Sequence, residues 1–549
     1  MKKTLALLET TGIQSYIFGS NQLAQNIGAS ELVARATTAW TADTLESLAL
    51  ADKSNIQGKT AGGLNVSDEL TPIQVIYAGG GKCLLLFTEE AWAQKFIARL
   101  TRRVLQKAPG LNLAADWITF DWEQEALSRV HNTLRRQLQT RKWRARPSHP
   151  LTGLSVTAAC VYTGLPAAGY SDDPDLTGSW QELEDEPKLI SAAVAAKLKA
   201  AAAGKERLHA LLPQAREKGF LFVYDFDQFG SKGESSYIAV IHADGNSMGK
   251  RFEAIARAHP APEDNNGYIY ALRRFSESIQ ENANRALSET VDYLLDSLDP
   301  NNKFGGVIDI PKPARGGQRL YLPFRPIVFG GDDVTFVCDG RLGLTLAAQY
   351  VQAFSRYNLA DGAPPYARAG VAVVHTHYPF ARAYDLAEQL ANSAKKQIPL
   401  LRKETEPSAN VMDWHFATTG FLFDLAEIRR REHRSAQNQS LLMRPIYLDH
   451  TGNKRPHQWR SWSNLTRVMD AFQDIKGDWA GRRNKIHGLR DALRQGPGAV
   501  QLFLDSYRPA LTLPPIPGQP DMQKQGWSGH DCGYYDAVEA LDFYVSLEP

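Results

Sequence analysis

The sequence lacks what a disulfide scaffold, a zinc ribbon or a membrane protein would need. Four cysteines occur in 549 residues. Cys83, Cys160, Cys338 and Cys532 stand far apart, with no Cys-x-x-Cys pair, which excludes a zinc ribbon and a disulfide framework. Cys83 and Cys338 sit in apolar runs and read as small core residues. No run of about 18 apolar residues appears, so no helical membrane span is expected. The opening MKKTLALLETTG carries two lysines, but its apolar stretch Leu5–Leu8 stops at Glu9, short of a signal peptide. It reads as the first strand of a cytoplasmic protein. A charge excess is missing too: 62 basic against 60 acidic residues leave a net charge of +2. Bulk charge therefore does not attract a polyanion, and only local basic patches could. His530-Asp531 has no other metal-type histidine near it and reads as no site.

What is present is an ordinary soluble composition, 43% hydrophobic and 22% charged, in a chain long enough for roughly two to four domains. The stretch IVFGGDDVTFVCDG, Ile327 to Gly340, organises the rest. Two β-branched and aromatic runs flank Gly330-Gly331-Asp332-Asp333, the pattern of a tight hairpin with glycines where φ must be positive. Adjacent carboxylates at such a tip repel each other, and a divalent cation would neutralise them. A merely acidic surface turn is the alternative. The apolar flanks argue against it, because they place the turn on a buried sheet.

The chain repeats itself. Residues 1–150 predict β-α-β-β-α-β, with a long helix over Glu31–Leu50 and a hairpin turning through Gly79-Gly80-Gly81-Lys82. Residues 237–415 predict the same order. Their first strand runs into Ala243-Asp244-Gly245-Asn246-Ser247-Met248-Gly249, and their last helix is predicted over Phe380–Lys396. Each copy is a split β-α-β, so the fold class is α+β with two ferredoxin-like domains. Residues 151–236 read as a partly helical linker with an acidic run, Glu182–Glu186, and a helix ending at Gly204 as its C-cap. Residues 416–549 read as a helical C-terminal domain. The hairpins align as GGGK against GGDD, and Glu9 aligns with Asp244. One copy keeps three carboxylates and the other keeps one, which implies one working site and one structural partner.

That set suits phosphoryl transfer to a hydroxyl, in which two divalent cations activate the nucleophile and stabilise the leaving pyrophosphate. Asp244, Asp332 and Asp333 are the candidate metal ligands and catalytic residues, with Mg²⁺ or Mn²⁺ as cofactor. Gly245, Asn246, Ser247 and Gly249, in a loop entering a helix N-terminus, offer backbone N–H groups to a triphosphate, with Gly330 and Gly331 opposite. Lys395, at the expected end of the last helix, reads either as a partner of the helix dipole or as a phosphate contact. Arg135-Arg136 and Arg141-Lys142-Trp143-Arg144-Ala145-Arg146 suit a nucleotide or nucleic-acid surface, or simply a solvated helix end.

The motifs LLETTGIQSYIFGS, YAGGGKCLLLF, LTGLSV, IHADGNSMGKRF, FGGDDVTFVCDG and YARAGVAVVHTHYPFARAYDLAEQLANSAKK come in the order seen in the large subunit of type III CRISPR effectors. The chain resembles that family of paired palm polymerases over about residues 1–415. The resemblance implies two palms packed face to face, with ATP as the substrate of the GGDD copy and cyclic oligoadenylate messengers for antiviral defence as its product. It also implies guide or target RNA and other effector subunits as partners, and leaves a homo-oligomer open. The N-terminal HD nuclease domain and the zinc-binding cysteines of many members are not seen, so DNA cleavage is not expected. A GGDEF-like cyclase using GTP and a non-catalytic RNA-binding scaffold are the competing readings. The turn reads GGDD rather than GGDEF, and a scaffold has no need of an electrostatically costly cluster.

Overall fold

Alternation of apolar side chains decides both sheets. The computed structural model describes residues 1–144, 156–173, 176, 186–229, 236–311, 320–402, 406–417, 424–448, 457–507 and 511–547. The motif at 151–155 and nearly all of the acidic run Glu182–Glu186 lie outside the described residues. In the first palm, β1 (Lys2–Thr11) sends Leu5 and Leu7 to one face and Ala6 and Leu8 to the other. It is flanked by β3 (Lys82–Phe87), which pairs with β2 (Ile73–Gly79), and by β4 (Asn112–Asp121). The order β2-β3-β1-β4 is the ferredoxin-like one. The helix expected over Glu31–Leu50 forms as α1 (Leu23–Thr37) and a separate helix, Ala39–Ser47. Thr38 leaves helical geometry between them, with its hydroxyl donating to the Ala34 carbonyl. The basic helix α2 (Leu127–Arg144) closes one face with Leu127, Val130, Leu134 and Leu138.

Beyond it, α3 (Ala192–Leu211) runs through Gly204 rather than stopping there. A Cβ at Gly204 would meet Ile27 Cγ2 at 3.0 Å and Glu31 Cβ at 3.3 Å, so this glycine permits close approach to α1 and is no cap.

The second palm repeats the layout around β5 (Tyr237–Gly245), with α4 (Met248–Ala258) and the long α5 (Asn265–Asp296) following. Strands β6 (Phe324–Val328), β7 (Asp333–Asp339) and β8 (Ala367–His375) complete the core order β6-β7-β5-β8. Helix α6 (Phe380–Leu401) extends past the expected end at Lys396, because Ala394, Ile398 and Leu401 continue its apolar stripe onto Val411 and Tyr447. Lys395 is therefore not a C-terminal residue of its helix. Strand β9 (Val411–Ala417) joins β8 in parallel and is buried throughout. A boundary after residue 415 falls inside this strand, so the sheet continues across the division drawn from sequence.

The palms share core. Tyr268, Ile269 and Leu272 of α5 pack into the first palm's α2 face, and Phe18 stacks on Tyr384 of α6 with ring centroids 3.9 Å apart. Arg273, 2% exposed, donates to the carbonyls of Ser67 and Val75 and to Asp68 and Gln74, fastening α5 to the first palm. No described helix is long and apolar enough to cross a membrane.

Candidate active site

Register builds the site. Across β5, Asp244 stands opposite Asp333 on one side and Arg368 on the other. The two-residue period of a strand puts these three side chains in a row on one face, with His242 one step further along. His242 Nδ1 lies 3.3 Å from Asp333 Oδ1, and the Tyr384 ring closes over it at 5.5 Å between centroids. Asp332 belongs to the turn instead. It lines a cavity of about 250 Å³ between the palms, together with Gly330 and Gly331. The GGDD carboxylates are thus divided between a strand face and a cavity wall, rather than paired at one tip. Gly330, with φ 103°, supplies the backbone that the turn needs.

Electrostatics reflect the crowding. Burial, and then the charges of Asp244 and Asp333, push the Asp332 carboxyl up to about 6, with Lys82 opposing. Asp244 is also raised, by burial first, against the pull of Arg368. Burial alone would lower His242, but its contact with Asp333 and the nearby Asp244 charge leave it raised.

By type, though not by convergence, the donors are those of a divalent-cation site. Burial and the neighbouring carboxylates make ionisation of Asp332 and Asp244 costly, and Asp333 Oδ1 is buried with only His242 Nδ1, at 3.3 Å, beside it. Asp332, Asp333 and the free oxygen of Asp244 would hold the cation. Among the described residues, no three Asp, Glu, His or Cys side chains converge on one point. Arg368 holds Asp244, and Asp332 turns into the cavity.

The expected phosphate loop is only partly available. The strand continues to Gly245, whose N–H donates to the Asp332 carbonyl at 3.0 Å, and the Asn246 N–H donates to the Tyr366 carbonyl at 2.7 Å. Both amides are therefore committed to the fold. Gly245 is a packing residue, since its Cβ would meet Asp332 Cβ at 2.9 Å. Asn246 is buried and braces Arg368 through its side chain. Ser247, Met248 and Gly249 head α4, where the first amides of a helix have no intrahelical acceptor. Lys395 is exposed on α6 and within electrostatic reach of Asp244.

The opposite wall comes from the supposedly structural copy. Gly79, Gly80 and Lys82 line the same cavity as Gly330, Gly331 and Asp332, so the two turns face each other. Tyr77, Phe252, Tyr268, Leu272 and Ile279 give that cavity apolar sides. Next to it opens a cleft of about 900 Å³ carrying Lys82, Arg129, Arg135, Arg136, Lys142 and Arg257 against Glu9 and Glu253. Glu9 is held by Lys142 and, at 3.9 Å, by Lys82. Residue reading undervalued Lys82, Arg135 and Arg368. The alignment of Lys82 with Asp333 and the basic run on α2 were the available signals for the first two.

Two ferredoxin-like palms, with a carboxylate turn facing a cationic turn, define a paired-palm fold. Residues 237–400 match the family model of the Cas10/Cmr2 second palm domain. The motif resemblance therefore holds over this segment. Among solved structures, the apo Csm1–Csm4 cassette matches with a TM-score of 0.51 at 13% identity, over 99% of this chain and 70% of that one. The same cassette in complex with pppApApA gives the same four values. The Csm1–Csm4 subcomplex of the type III-A CRISPR-Csm interference complex gives 0.50 at 13%, with the same coverage. These matches establish the shared fold of almost the whole chain. No curated protein matches it by sequence.

Proposed function

We propose that the chain is a metal-dependent nucleotidyltransferase that joins ATP into linear or cyclic oligoadenylate, as the large subunit of a type III CRISPR-like antiviral effector. One observation carries this reading. The turn with Asp332 and the turn with Lys82 face each other across a single cavity whose remaining lining combines Tyr77, Phe252, Tyr268, Leu272 and Ile279 with the polar Glu9, His131, Asn132, Arg135, Ser276 and Gln280. An anionic, cation-binding wall opposite a cationic wall suits two nucleotides held head to head.

In the reaction a ribose hydroxyl oxygen of one ATP forms a bond to the α-phosphorus of the other. The bond to pyrophosphate breaks, and the hydroxyl proton leaves to solvent. Divalent cations at Asp332, Asp333 and Asp244 would supply the Lewis acidity that lowers the hydroxyl's pKa and stabilises the leaving group. The chain's own residues bind and orient. Lys82 and Arg135 face the triphosphate of the nucleotide on the first-palm side, while Tyr77, Phe252 and Tyr268 exclude water around a base. The Ser247–Gly249 amides and Lys395 stand ready for the phosphates on the GGDD side. Relatives of this fold are known with pppApApA and cA4, which supports adenylate over guanylate. Partner subunits and RNA are proposed on the same likeness to the Csm interference complex.

The test is product analysis with labelled ATP and GTP, Mg²⁺ or Mn²⁺, with and without activating RNA. Oligoadenylate is expected. Turnover of GTP but not ATP would replace the adenylate reading by a guanylate one. No turnover under any condition, in the chain alone or with its effector subunits, would leave the scaffold reading.

A further inference from the structure

A histidine stands where the first palm has a leucine. His242 lies two residues before Asp244, as Leu7 lies two before Glu9, and both are buried, at 5% and 0% exposure. The first palm folds around an aliphatic side chain at this place, so the fold does not require a polar one. What differs is the neighbour across the sheet. Lys82 stands opposite Glu9, and Asp333 stands opposite Asp244. His242 Nδ1 lies 3.3 Å from the buried Asp333 Oδ1, although the Asp333 side chain as a whole is 48% exposed. One oxygen is thus set against the imidazole while the side chain still opens to solvent. The turn itself does little to hold this carboxylate. Gly330 and Gly331 precede it, and a Cβ at either would meet nothing within 4 Å.

The imidazole is held in turn from the other palm. The Tyr384 ring meets it edge to face, with 5.5 Å between centroids and 71° between planes. Tyr384 is 2% exposed, and the first palm grips it twice. Phe18 stacks on its ring at 3.9 Å between centroids, and its hydroxyl accepts from Gln14 Nε2 at 3.0 Å. Both residues belong to the short helix Ile13–Phe18, which follows directly on the strand of Glu9. A chain of contacts therefore runs from the first palm through Tyr384 and His242 to Asp333. Resting on the nucleotidyltransferase reading above, we propose that His242 is a positioning residue that fixes Asp333 for the reaction, held in place by the first palm through Phe18, Gln14 and Tyr384. The first palm then serves the GGDD site in two ways, as a cationic wall and as a brace.

The experiment measures kcat and KM for ATP in the full chain, with its effector subunits where turnover needs them. His242→Leu, the first palm's own residue, should lower kcat by roughly ten- to a hundredfold, the effect of losing a hydrogen bond to a charged group. KM should change little. His242→Asn, whose amide nitrogen takes the place of Nδ1, should restore most of the loss. Gln14→Leu should cost about a few-fold alone and nothing further in the His242→Leu background, because coupled residues do not act additively. An equal loss in a folded His242→Asn, a raised KM with kcat unchanged, or independent effects of Gln14 and His242 would each overturn the proposal. A second readout needs no turnover. In the chain labelled with ¹³C at histidine Cε1, the His242 resonance is identified by its loss in His242→Asn. It should shift in Asp333→Asn and again in Gln14→Leu, and a resonance indifferent to either would overturn the proposal even where His242→Leu does not fold. Absence of product from the wild type would overturn the nucleotidyltransferase reading instead, and the resonance would still decide whether His242 answers to Asp333 and to the first palm.

Discussion

The two palms keep the same backbone and exchange their charges. Glu9 stands opposite Lys82 in the first, as Asp244 stands opposite Asp333 in the second. The Thr10 N–H reaches the Gly81 carbonyl at 2.8 Å, and the Gly245 N–H reaches the Asp332 carbonyl at 3.0 Å. Each copy then enters its next helix through a left-handed residue, Gly12 at φ 65° and Ser247 at φ 62°. A fold that survives the exchange of Asp333 for a lysine does not need that carboxylate for folding. The Asp332 carboxylate of the second palm, buried beside the Asp244 and Asp333 charges, is a cost to its stability. The lysine of the first makes it the complementary wall of the same cavity.

The most disruptive way to break this comparison is Asp332→Ala together with Asp333→Ala. Activity should fall by several orders of magnitude, because cation stabilisation of transition-state charge is a term of several kcal/mol. The metal-free protein should be no less stable, and Mn²⁺ should no longer raise its melting temperature. Unchanged Mn²⁺ stabilisation would move the site elsewhere. Asp332→Asn sharpens the stability half. With its carboxyl at about 6 in the fold against 3.8 ordinarily, the native state binds the extra proton between those values. Stability should therefore fall as pH rises from about 4 to 6, and stay lower above that window. In chelator, Asp332→Asn should be more stable than wild type at pH 7, with the gap closing below pH 4. A gap that stays at its full size well below pH 4, or the opposite sign, would count against the buried-charge account.

The cationic wall should respond more mildly. Lys82→Ala removes one charge-assisted contact, a loss of about 1.5–3 kcal/mol or roughly ten- to a hundredfold. It should appear as a higher KM for ATP and a weaker dependence on salt. A fall in kcat with KM unchanged would make Lys82 part of the GGDD machinery rather than a nucleotide contact. Glu9→Gln should cost less still, roughly a few-fold in activity, since Glu9 serves its two lysines in a part-exposed pair. Complete loss with the fold intact would reverse the roles of the two palms.

Much of this was legible in the residues. Period-two runs around GGGK and GGDD located both hairpins, and the alignment of Glu9 with Asp244 matches the strand registers to the residue. The sequence hid what depends on three-dimensional neighbours. Arg368 is 124 residues from Asp244 and meets it only because β8 lies beside β5. Gly204 looked like a helix stop, since nothing local shows that α1 needs its missing side chain. Asn246 looked like a phosphate loop residue until its amide proved to be paired with Tyr366. Lys82 looked inert because its alignment with Asp333 does not show that the two turns face each other across one cavity.

The finest test of the comparison is Ser247→Gly, which makes the second palm's helix entry the same as the first palm's. A left-handed backbone costs a non-glycine residue about 1–2 kcal/mol, and glycine gives back about 0.5–1 kcal/mol through the entropy of the unfolded chain. The variant should therefore gain a few tenths to about 1 kcal/mol in chemical denaturation. Ser247 makes no capping hydrogen bond in return for its strain, and it is exposed at the head of α4. Strain held at a spot where the first palm avoids it points to use of the hydroxyl. Loss of that hydroxyl should raise the KM for ATP several-fold and leave kcat little changed. Greater stability with an unchanged KM would show that the serine is only tolerated there, and would remove the α4 entry from the nucleotide's contacts.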